Sequence, residues 1–143
     1  DRAIAAVLSA ALVALKLGDR VRLFSFDAAP RVASESVSGV SSFGAFQRLA
    51  AAVDYSNSET NFTYALTTLA ARLKRRSLVL IDAAPVTPDD VTRAVIAAAM
   101  LRERRIVIAR LERLGAQIVE APYDRLGPEL INAYLTLKRR NAL

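Results

Sequence analysis

The sequence predicts a doubly wound α/β fold: a mainly parallel sheet with one antiparallel hairpin at its edge and helices on both faces. Three observations predict it. Short apolar runs alternate with helical segments, as they do when crossover helices join parallel strands. The run Ser77 to Ile81 is nearly apolar throughout rather than alternating, the pattern of a strand buried on both faces. And 53% of the residues are hydrophobic while only nine are aromatic (five Phe, four Tyr, no Trp), which suits helices on a sheet better than an aromatic-rich sandwich. With 143 residues and that apolar content, the chain is expected to form one domain around one core.

Taken in order, Arg2 to Leu17 is rich in good helix formers, and Gly18 follows as a stop signal. Val21 to Phe26 reads as a buried strand, Asp27 to Pro30 as a turn and Arg31 to Ser34 as a short second strand, together a hairpin. Glu35 to Ser42 is a Ser- and Gly-containing loop. Phe43 to Val53 and Phe62 to Arg75 read as helices separated by the polar, aperiodic segment Asp54 to Thr60. After the Ser77 to Ile81 strand, Thr87 is an expected N-cap, Pro88 takes the first helical position, and Asp89 and Asp90 fall in the positive first turn. This helix is expected to run to Leu114 and stop at Gly115. At about 25 residues it exceeds the globular norm, so part of it should project or carry an interface. Ala116 to Ala121 reads as the last strand, and Pro128 opens a closing helix through Arg139. No internal repeat or low-complexity segment is visible.

Composition narrows function. No apolar run approaches the roughly 20 residues that span a bilayer, since charges such as Lys16, Arg20 and Arg72 interrupt every candidate. The segment from Asp1 lacks the zones of a signal peptide, and a cytoplasmic setting is expected. Without Cys there are no disulfides or thiolate metal sites, and without His the commonest metal ligand and general base are missing. The net charge of +6 falls in three clusters: Arg72 with Lys74, Arg75 and Arg76; Arg102, Arg104, Arg105, Arg110 and Arg113; and Lys138, Arg139 and Arg140. The first and third lie at expected helix C-termini, where cations complement the dipole; the alternative is a surface for acidic partners. Glu103 and Glu112 are expected to pair with neighbouring arginines at three- and four-residue spacing along the long helix. Asp89 and Asp90, adjacent on a helix and about 100° apart, need no catalytic role. Tyr134 falls in an amphipathic helix with Leu130, Ile131, Leu135 and Leu137 and is expected in the core.

Several segments then share one pattern. They are Leu17-Gly-Asp-Arg-Val21 with Leu23-Phe-Ser-Phe-Asp27, Glu59-Thr-Asn-Phe62 with Ala65-Leu66, and Leu73-Lys-Arg-Arg-Ser-Leu-Val79. Later come Leu101-Arg-Glu-Arg-Arg105, Arg113-Leu-Gly-Ala116 with Val119, and Leu130-Ile-Asn-Ala-Tyr-Leu-Thr-Leu-Lys-Arg-Arg140. Together they resemble a bacterial family, domain of unknown function 58, whose fold is of the von Willebrand factor A type. The closing Asn-x-Tyr-Leu-x-x-Lys-Arg pattern is the most specific match. The resemblance covers nearly the whole chain, with two departures. The family's Asp-x-Ser-x-Ser metal motif lies on a first, central strand that would precede Asp1, and the family has a further helix and strand where this chain has only Asp82 to Val86. The resemblance therefore implies a fragment or shortened member of a von Willebrand factor A-like domain, or one completed by another chain.

The family's metal-ion site is built from hydroxyl and carboxylate oxygens, as a hard, octahedral Mg²⁺ requires; this chain offers two candidate ligands, too few for six-coordination, so no cofactor is expected unless the missing Asp-x-Ser-x-Ser strand is present in the full protein. Thr60 matches the family's Thr/Ser region, and Asp82 stands in for the acid that ends the fourth strand, although the family's Thr-Asp pair falls nearer Ala83 and Ala84. The alternative reading is structural: Thr60 or Asn61 caps the Phe62 helix and Asp82 closes a strand end. The function that the resemblance implies is a protein-interaction domain without catalysis that partners an AAA+ ATPase of the MoxR kind in assembling or activating other proteins. A basic nucleic-acid-binding module is the alternative, and its mark would be arginines converging with exposed aromatics. A hydrolase is disfavoured, because the chain has no Gly-x-Ser-x-Gly elbow, no phosphate-binding Gly-rich loop and no His.

Overall fold

Helix α1, Arg2–Lys16, begins the chain in a computed structural model that describes residues 2–54, 60–73, 77–81, 91–120 and 125–140. Gly18, at φ 83°, ends it. Its N–H donates to the Leu15 carbonyl at 3.2 Å, and the Asp19 N–H reaches back to Ala14 at 3.0 Å. This pair of bonds is a Schellman cap, which satisfies the last carbonyls and places the left-handed residue where glycine costs least. The long helix α4, Val91–Arg113, closes in the same way at Gly115, φ 90°, through Gly115 to Glu112 and Ala116 to Leu111 bonds of 2.9 and 3.2 Å. Both glycine stops lie where the sequence places them. The expected start of α4, from Thr87 to Asp90, lies outside the described residues.

The segment expected as one strand, Val21 to Phe26, is divided between two partners. Strand β1, Arg20–Val21, pairs antiparallel with β4, Val37–Ser38, inside the expected loop. Strand β2, Phe24–Phe26, pairs antiparallel with β3, Pro30–Ala33, as the predicted hairpin. The change of partner has a visible cause at Ser34. Its Oγ accepts the Leu23 N–H at 2.8 Å and donates to the Glu35 carbonyl at 3.0 Å, so a side chain replaces the ladder where the chain crosses over. Ser34 is buried, and removing its hydroxyl leaves the Leu23 N–H without that acceptor. Ser34→Ala is therefore expected to cost about 1 kcal/mol in a urea titration, whereas a midpoint unchanged from wild type would mean that water replaces the hydroxyl.

Helix α2, Phe43–Ala51, follows a 3₁₀ turn at Val40–Ser42 and buries Phe46 and Ala50. Helix α3, Phe62–Ala70, buries Ala65, Leu66 and Leu69 at the spacing of one helical face. Strand β5, Leu78–Ile81, and β6, Gln117–Glu120, flank α4 and pair parallel in register from Leu78 with Gln117 to Ile81 with Glu120. Helix α5, Leu126–Arg139, starts two residues before the expected Pro128, which sits in the first turn, where a missing N–H breaks no helical bond.

The parallel pair shows the layering. Val79 and Ile118 are partners in register and join one apolar cluster with Leu66, Leu69, Val107 and Leu111 of α3 and α4. The next residue, Val119, packs instead with Ala6, Ala10 and Leu130 of α1 and α5. Successive strand residues face opposite sides, so α3 and α4 cover one face of this pair and α1 and α5 the other. The hairpin attaches to the first layer through aromatics. Phe24 and Phe26 share a face, Phe26 meets Phe62 edge-on at 5.2 Å, and the Arg104 guanidinium lies over the Phe62 ring at 5.0 Å.

The class is thus mixed α/β, with helices on both faces of the parallel strands. The expected single, mainly parallel sheet is corrected. The described strands form three two-stranded pieces, two antiparallel and one parallel, because the chain changes pairing partner at Arg22 and Leu23.

Candidate functional site

The structure joins the segment Leu17 to Val21 to the closing segment Leu130 to Arg140. Asp19 follows the Schellman glycine, so the cap of α1 aims its carboxylate at α5. Tyr134 and Lys138 lie one turn apart on α5, on a single face. Tyr134 Oη donates to Asp19 Oδ2, and Lys138 Nζ donates to Asp19 Oδ1 at 2.5 Å. Both carboxylate oxygens are occupied. Burial alone would raise the Asp19 carboxyl, but the hydrogen bonds from Lys138 and Tyr134 and the Lys138 charge outweigh it and hold the group below its ordinary range. The Tyr134 hydroxyl is pushed up, first by burial and then by its bond to Asp19 and that carboxylate's charge. Tyr134 is buried, as the amphipathic pattern predicts, and the sequence missed only what its hydroxyl meets. The i, i+4 pairing of Tyr134 with Lys138 was the available signal. It marked a polar end to an apolar stripe without naming a partner 115 residues away.

The second place to look is the loop region at the end of β2. Thr60 is half-buried beside Asn61, whose backbone N–H donates to the Asp27 carbonyl at 2.9 Å. Asn61 rather than Thr60 caps α3, its Oδ1 accepting the Tyr64 N–H at 2.9 Å. The nearby Asp27 carboxylate accepts the Ala29 N–H at 3.1 Å and Arg31 Nε at 2.6 Å, fixing the hairpin turn. Asp82, the other residue expected at a metal, lies outside the described residues, so the structure does not bring the pair together. Among the described residues no group of three or more acids gathers in a way that could hold a metal ion.

The third feature is the basic surface of α4. The expected ion pairs of Glu103 and Glu112 do not form among the described residues, where Arg31 with Asp27 and Lys138 with Asp19 do. The reason is spacing. The nearest arginines to either glutamate are one or two places away and point to different faces, while the i±3 and i±4 positions hold none. Arg102, Arg105, Arg110 and Arg113 are exposed. Of the basic clusters, Lys138 and Arg139 stand in the last turn of α5 and Arg110 and Arg113 in that of α4, where each complements the helix C-terminus. Lys74 to Arg76 lie outside the described residues. Tyr64 is the exposed aromatic among the described residues, whereas Phe24, Phe26 and Phe62 pack on one another.

These elements define a mixed α/β domain with helices on both faces of a parallel strand pair. No described helix is long and apolar enough to cross a membrane. No protein-family model, curated protein or solved structure matches the chain.

Proposed function

We propose that this chain is a von Willebrand factor A-like protein-interaction domain that performs no catalysis and partners an AAA+ ATPase of the MoxR kind. The observation that supports this reading best is the Asp19, Tyr134 and Lys138 cluster. The Gly-Asp-Arg-Val segment and the closing Asn-x-Tyr-Leu-x-x-Lys-Arg segment carry the resemblance to domain of unknown function 58, and this cluster makes them one bonded unit. Two segments so far apart in sequence have a common reason to be kept if each completes the other. The polar side chains described around the strand ends cap a helix and fix a turn, while bare cations and apolar groups collect on α4. Such an exposed surface of cations and apolar side chains suits a domain that acts by being bound.

The test mixes the purified chain with a purified bacterial MoxR-type ATPase and follows co-sedimentation, with and without Mg-ATP, together with ATP turnover. Co-sedimentation and a changed turnover are expected. Absence of both overturns the reading. Binding of duplex or single-stranded DNA with a steep salt dependence would put the nucleic-acid module in its place.

A further inference from the structure

We infer that the groove between α3 and α4 is a docking site for an acidic, amphipathic helix of a protein partner. The groove holds about 270 Å³; Leu66, Val107 and Leu111, themselves buried, form its floor with Ala70, and Arg110 and Leu114 stand exposed at its α4 rim. Arg110 and Leu114 belong to a longer row. Arg102, Ile106, Arg110 and Leu114 succeed one another at four-residue spacing, a row about 18 Å long that turns about 40° around the helix at each step and meets the groove at Arg110 and Leu114. Along it, cation and apolar side chain alternate. All four are exposed, Ile106 at 66% and Leu114 at 54%.

Each part of this arrangement selects the occupant. An open apolar groove beside a ridge of i, i+4 side chains is the surface that another helix packs against, ridge into groove. The arginines call for carboxylates opposite them, and among the described residues Arg102 and Arg110 form no ion pair within the chain. The bare Ile106 and Leu114 between them call for apolar side chains at the same period. A helix with Glu and Leu alternating every four residues meets both demands. A second copy of this chain does not, since it brings the same arginines on a molecule of net charge +6. Nucleic acid fits less well, because phosphates would pair with the arginines but offer no apolar surface to Ile106 and Leu114, and the row holds no aromatic on which a base could stack.

The inference rests on the interaction reading above and deepens it by naming the partner's chemistry. The test uses a fluorescein-labelled helical peptide with Glu and Leu alternating at four-residue spacing, a scrambled peptide of the same composition, and a labelled DNA duplex, each followed by anisotropy. The ordered peptide should bind the chain at least about tenfold tighter than the scrambled one. Arg102→Glu with Arg110→Glu should weaken it about a hundredfold, and Ile106→Ser about tenfold, while Arg139→Glu on α5 should leave it nearly unchanged. All four substitutions are at exposed positions, and unaltered melting curves will show that the variants fold. Equal binding of the two peptides, no binding, or indifference to the double substitution overturns the inference. So does tighter binding of the duplex through the same row, or a concentration-dependent dimer that the double substitution abolishes. An ATPase that fails to co-sediment while the peptide still docks removes the AAA+ partner and leaves the groove; the reverse pattern removes the groove alone.

Discussion

Leu111→Ala is expected to lower the stability of the chain by about 3 kcal/mol, the largest loss among the substitutions considered. Leu111 is 1% exposed and belongs to the cluster that joins α3, α4 and the parallel strands. Truncating it forfeits the transfer energy of the missing carbons and leaves a hole whose lining is held by three separate elements, so collapse around it is limited. The comparison that gives the number meaning is Ile106→Ala on the same helix. Ile106 is 66% exposed, and its truncation should shift stability by no more than about 0.5 kcal/mol. Urea midpoints of the two variants measure the contrast. Similar losses for both would mean that α4 is stabilised by its own helical propensity rather than by packing, and the layered core described for Val79, Ile118 and Leu111 would not be what holds the helix.

That contrast within one helix bears on what the sequence discloses. The stops at Gly18 and Gly115 are legible because only one residue type is at ease at φ near 80–90°, and the chain marks each with a glycine directly after a helical run. The hairpin at Asp27 to Pro30 is legible for a similar reason, turn chemistry being local. The crossover at Arg22 and Leu23 was not, because it depends on the Ser34 hydroxyl displacing a ladder bond eleven residues away, and no periodicity records that exchange. The face assignment of α4 was lost in its composition. Arginines fall all around the helix, Arg104 over Phe62 on the inner side and Arg102, Arg105 and Arg113 outward, so the apolar stripe does not stand out until partners are known. For the same reason the ridge of Arg102, Ile106, Arg110 and Leu114 looked like a solvated basic run. Of the residues expected at a metal, Thr60 stands beside the Asn61 cap, and nothing local to its sequence distinguished a capping neighbour from a ligand.

Asp19→Asn should cost about 1–2 kcal/mol at neutral pH, and the loss should disappear in acid. The charge-assisted bonds from Lys138 and Tyr134 set the upper end of that range, and the partial exposure of Asp19 and Lys138, at 31% and 37%, pulls it down through solvent screening. Because folding lowers the Asp19 pKa, the stabilisation is fully present above the ordinary carboxylate range and is lost as pH falls through the lowered value of the folded state. Wild type minus Asp19→Asn, measured by urea titration from pH 7 down to about pH 2, isolates this one group from the other acids, whose contributions cancel in the difference. The difference should be flat down to about pH 5 and then shrink toward zero. Tyr134→Phe keeps the ring in the core and removes only the donor, so it should cost less at pH 7. It should also abolish the alkaline loss that the raised tyrosine predicts, stability being present below the ordinary tyrosine range and lost as pH rises through the folded value. A difference between wild type and Asp19→Asn that stays constant with pH would mean that the carboxylate is not held ionised by its partners. The bond between the Gly-Asp-Arg-Val and Asn-x-Tyr-Leu-x-x-Lys-Arg segments would then be incidental, and with it would go the main structural support for reading them as one family signature.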